Sequence, residues 1–159
     1  MIKFLTLLVL AFIAQQPTSN EPAVWAEPIP LFTDQIQEHY SGPATQYAAG
    51  HRGIDIKIAP NQTLKSPVAG RIAFADLVVD RMVVTIESEG KKLSFEPACT
   101  DLEVGDPIRA GQEFAWHCAP EADYQYHCES CVHFSARTKF GYLSPMYFYG
   151  TLSPSSLSA

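Results

Sequence analysis

From Gly50 onward the sequence is cut into short apolar stretches by turn residues, and none is long enough to make a helix with one apolar face. Ile54-Asp55-Ile56-Lys57-Ile58 alternates with period two, the repeat of a strand with one face buried. Met82 to Ile86 is a β-branched run after a polar Asp80-Arg81 turn. Glu89-Gly90 marks a hairpin before Leu93 to Phe95. Gly105-Asp106 and Gly111-Gln112 predict two tight reversals, and Cys131-Val132-His133-Phe134 a further strand. The expected fold class is all-β: an antiparallel β-sandwich or barrel-sandwich hybrid of short strands and tight turns.

Upstream the texture differs. Met1-Ile2-Lys3 and the apolar run Phe4 to Ala14 have the charge and length of a signal peptide, and the run is short for a membrane span. The expected organisation is a signal peptide and cleavage region over 1–20 and a Pro-rich connector over 21–41. A β domain over 42–150 and a disordered tail over 151–159 would follow. Within the connector, Glu21 to Pro30 is expected to run extended over the surface. Leu31 to Tyr40 reads as one short helix or strand. Tyr142, Pro145, Tyr147, Phe148 and Tyr149 are expected to finish the core, lining a groove being the alternative.

Export bears on the cysteines, Cys99, Cys118, Cys128 and Cys131, because it permits disulfides. Three pairings exist, and spacing does not choose among them. A zinc cluster using Cys128 and Cys131 is the competing reading. With eleven Lys plus Arg against seventeen Asp plus Glu, and no basic run, nucleic acid is not an expected partner. After signal cleavage no membrane segment is expected.

The segment His51-Arg52-Gly53-Ile54-Asp55 carries the first chemical signal. A histidine and a carboxylate four apart reach one metal ion if the chain turns between them, and Gly53 tolerates the backbone angles of a turn. His133 is the second. Two histidines and a carboxylate suit zinc and leave a fourth position for water. By chemistry alone, a surface His51, a capping Asp55 and a core His133 remain open alternatives.

Those residues, with Ser66 to Ile72, Val104 to Gln112, Val132-His133-Phe134 and Leu143-Ser144-Pro145, resemble the lysostaphin-type zinc endopeptidases, which cut peptide cross-links in peptidoglycan. The resemblance runs from about Gly50 to Tyr149. It implies a β-sandwich, a zinc ion held by His51, Asp55 and His133, and a place in the cell envelope. Ser94-Phe95-Glu96-Pro97 and the His127-Cys128…Cys131-Val132-His133 arrangement look more like a secreted subgroup common in actinobacteria.

Two departures weigh against an ordinary enzyme. The family's two further catalytic histidines align with Pro97 and Cys131. Glu96 is the nearest substitute base, although as a strand neighbour of Pro97 it need not face the metal. His127 is the other candidate. Cys131 is a fourth zinc ligand, a free thiol or half of a disulfide, most simply with Cys128, which leaves Cys99 with Cys118. His39 and His117 stay unassigned. The expected function is that of a secreted zinc metallopeptidase-like protein acting on peptidoglycan peptides. The alternative is a catalytically degenerate domain that keeps the zinc site and binds the cell wall or regulates a wall hydrolase.

Overall fold

The computed structural model describes residues 24–30, 32–45, 47–118 and 130–150. A 3-10 turn over Phe32–Gln35 leads into ten strands: β1 Ile36–Glu38, β2 Ile54–Lys57, β3 Thr63–Lys65, β4 Gly70–Val78, β5 Arg81–Ser88, β6 Lys91–Glu96, β7 Pro107–Ile108, β8 Glu113–Trp116, β9 Cys131–Thr138 and β10 Gly141–Leu143. A second 3-10 turn spans Pro145–Tyr149. There is no α-helix among the described residues. Eight strands form one antiparallel sheet, ordered β1-β2-β9-β6-β5-β4-β7, with β10 also paired to β9. The smaller sheet is β3-β8. The expected all-β antiparallel class holds, and the sheet does not close into a barrel.

Alternation sorts the side chains. Ile54 and Ile56 on β2, Val132 and Phe134 on β9, Leu93 and Phe95 on β6 and Val84 and Ile86 on β5 are all fully buried on one face. Leu64 from β3 and Phe114 from β8 cover that face. Phe95 and Phe134 are cross-strand partners and stack with centroids 4.4 Å apart. Each such side chain contributes about 1.5–3 kcal/mol by leaving water. The opposite face of the same strands carries Asp55, His133 and Glu96.

The segment expected to cross the surface does not. Trp25, Ile29 and Phe32 are buried, because the open edge of the core needs a cover. Trp25 stacks on Phe148 at 3.9 Å and meets Tyr149 edge-on at 6.0 Å. Burial, and then the nearby Glu27, raise the Tyr149 phenol above its ordinary pKa, and its hydroxyl donates to the Ala26 carbonyl. The stretch from Leu31 to Tyr40 holds a 3-10 turn and a strand in succession, Leu31 itself lying outside the described residues. Of the late aromatic residues, Phe148 and Tyr149 pack on the core, whereas Tyr147 is exposed.

Candidate metal centre

Three strands' worth of register build the site. Asp55 on β2 lies opposite His133 on β9, and His133 lies opposite Glu96 on β6. Directly opposed residues project to the same side of a sheet. His51 precedes β2 and is held by a two-way backbone pairing with Ser41, at 2.8 and 2.9 Å.

Three ligand atoms converge. His51 Nε2 is 3.1 Å from Asp55 Oδ1 and 3.1 Å from His133 Nδ1, and His133 Nδ1 is 2.8 Å from Asp55 Oδ1. Asp55 is fully buried, and the His51 and His133 side chains are 13% and 12% exposed. Tetrahedral bonds of about 2.0–2.2 Å place ligand atoms roughly 3.3 Å apart, so this donor set fits zinc after small adjustments. His51 Nδ1 lies 2.9 Å from the His39 carbonyl, to which it donates, leaving Nε2 a lone pair. Glu38 Oε1 is 3.9 Å from the same Nδ1. Neither His39 nor Glu38 carries a sequence signal for this role, since both belong to the connector.

Gly53 serves the site differently from the sequence expectation. Its φ is not in the left-handed region; what it supplies is space. A Cβ there would lie 2.6 Å from His133 Nε2 and would collide with the Phe134 carbonyl oxygen. The His133 ring occupies the volume that any other residue at position 53 would fill.

Glu96 also departs from expectation. The register places Glu96, the last residue of β6, opposite His133, so it shares the metal face, while Pro97 lies beyond the strand. The pairing with β9, and not the place beside Pro97, decides the face that Glu96 presents. The Glu96 carboxylate accepts a 3.0 Å bond from Arg81 Nε, and Arg81 also donates to Asp80 at 2.9 Å. The structure therefore brings Glu96 to the His51, Asp55 and His133 face. His127 lies outside the described residues.

Cys99 is bonded to Cys118, tying the end of β6 to the end of β8. Cys131 is 2% exposed and disulfide-bonded, so it offers no thiolate to a metal. The pairing expected for it, with Cys128, lies outside the described residues. His117 is 5% exposed and is not among the converging His51, Asp55 and His133, and burial lowers its pKa, partly offset by the Ala59 carbonyl.

No family model matches the chain. The uncharacterized protein Rv2891 of Mycobacterium tuberculosis is 26% identical over 102 residues, covering 64% of this chain and 40% of its own. The chain thus matches well under half the length of that relative. Among solved structures, the catalytic domain of the antimicrobial peptidase lysostaphin from Staphylococcus simulans aligns with a TM-score of 0.60 at 17% identity, over 73% of this chain and 92% of its own. A zinc containing peptidase from Vibrio cholerae aligns at 0.57 and 16% identity, over 69% and 35%. None of the helices among the described residues is long and apolar enough to cross a membrane. The chain has the fold of the lysostaphin-type peptidases.

Proposed function

We propose that this protein is a secreted zinc metallopeptidase-like protein acting on the cross-link peptides of peptidoglycan. The observation that carries this reading is the triangle of His51 Nε2, Asp55 Oδ1 and His133 Nδ1, with edges of 2.8–3.1 Å. Zinc bound there would polarise an amide carbonyl and acidify a water molecule. Asp55 supplies the negative charge, buried at the base of the site. The His39 carbonyl fixes the ring of His51 through Nδ1. Glu96 is the group on the same face suited to take a proton from water and return it to the departing amine, and Arg81 holds its carboxylate in place.

The test has two readouts. Zinc is measured in the purified protein and in His51→Ala, and freed amines are counted after incubation with purified peptidoglycan. One zinc per chain, lost in His51→Ala, with new amines supports the peptidase. Absence of zinc from the unaltered protein would sink the metal claim.

A second reading, a degenerate domain that keeps zinc and binds the cell wall or regulates a wall hydrolase, is favoured by one observation. The two positions aligned with the family's further histidines hold Pro97 and an oxidised Cys131. Zinc without freed amines would decide for it.

A further inference from the structure

We infer that the groove at the β9–β10 end of the sheet is a carboxylate-recognition site for an anionic peptide, a subsite of the substrate proposed above. The groove encloses about 950 Å³ and is lined by Arg52, Lys92, Arg137 and Lys139, with Tyr40 and Tyr142 among its walls. No acidic residue lines it among the described residues. Four of the eleven Lys and Arg residues of a chain with net charge −6 meet here.

The register puts them together. Lys92 on β6 lies opposite Arg137 on β9, and Tyr142 on β10 lies opposite Arg137 from the other side. The guanidinium of Arg137 sits 5.8 Å from the centroid of the Tyr142 ring. The Tyr40 hydroxyl donates to the Tyr142 carbonyl at 3.1 Å, joining the connector to this wall. Lys92, Arg137 and Lys139 form no ion pair with any described residue. Glu87, opposite Lys92 on β5, brings one carboxylate to that side of the sheet, which leaves the cluster net positive, and a bound anion relieves the remaining repulsion. Arg137 offers the planar fork that carboxylates accept.

Position selects the ligand. His133 and Arg137 are four residues apart on β9 and point to the same face, a separation of about 13 Å. An extended peptide covers that distance in about four residues. Arg52, which lines the groove, follows His51 of the triangle in the chain. A peptide with its scissile amide at the triangle would lay a carboxylate about four residues away among these cations. A polyphosphate would satisfy the charge alone and would ignore the triangle.

The experiment is calorimetric titration of the intact protein with three probes: a synthetic peptidoglycan stem pentapeptide with free carboxylates, the same peptide fully amidated, and inorganic tripolyphosphate. The free-carboxylate peptide should bind at least ten-fold more tightly than the amidated one. Arg137→Gln with Lys139→Gln, both at exposed positions, should lose that preference at unchanged melting temperature. Equal binding of both peptides, an undiminished preference in the double variant, or tighter binding of tripolyphosphate would overturn the inference. His51→Ala separates it from the peptidase reading. Carboxylate preference that survives without zinc or amine release leaves the groove standing and removes the peptidase. Amine release without carboxylate preference does the reverse.

Discussion

Asp55 and His133 face each other across β2 and β9, with Oδ1 and Nδ1 2.8 Å apart, before any metal is considered. The register of two adjacent strands sets the two residues side by side, so the sheet itself positions these candidate ligands. Asp55→Asn keeps the shape and removes the charge. The expected outcome is a loss of zinc affinity greater than about a hundred-fold, beyond the roughly ten- to hundred-fold that loss of a residue supporting a ligand costs, measured by competition with a chelator.

Gly53→Ala should damage the site without touching a ligand. The new methyl group must displace the His133 ring or the Phe134 backbone. Overpacking of this kind costs about 1–3 kcal/mol. Thermal unfolding and zinc titration should both move. An alanine variant with unchanged melting temperature and full zinc affinity would refute the close-approach account.

Glu96→Gln is expected to retain zinc and to slow amine release by about a hundred- to a thousand-fold, the usual effect of removing a positioned base. The readout is initial rate at saturating peptidoglycan, alongside metal content. Unchanged turnover would remove Glu96 from the chemistry and leave its bond to Arg81 as a structural tie.

His117 makes stability pH-dependent. Its pKa in the fold lies below the ordinary value, because burial disfavours the charged ring. Above the unfolded value of about 6.5 both states hold the ring neutral, and nothing is lost. As pH falls below it, the unfolded chain takes a proton that the fold resists, and stability drops until the folded pKa is passed. Denaturant midpoints between pH 7.5 and pH 5 should fall more in the unaltered protein than in His117→Gln.

Val79 sits in the two-residue turn between β4 and β5 with φ 62°, a left-handed conformation that crowds a β-branched side chain, and it is 88% exposed. Val79→Gly removes that crowding and gives up little packing. A gain of about 1 kcal/mol is expected, read as a rise in melting temperature.

The strands and the His51/Asp55 pair were legible because both are local patterns, whereas His133 joined them only through the family resemblance. Ile54 to Ile58 alternates within five residues, and His51 and Asp55 lie four apart. What escaped was register. Whether Glu96 or Pro97 lies opposite His133 depends on how β6 pairs with β9, and a slip of one residue exchanges the faces. The groove escaped for the same reason, since Lys92 and Arg137 meet only through that pairing. Trp25, Ile29 and Phe32 escaped because the prolines around them give the segment the composition of a linker.

Trp25 stacked on Phe148 closes the chain like a clasp: its backbone amide donates to the Phe148 carbonyl, and the two rings lie nearly parallel. Residues 123 positions apart in sequence thus share one fastening. Opening one side therefore strips the cover from the other. That fastening keeps the sheet that carries Asp55 and His133 sealed along this edge.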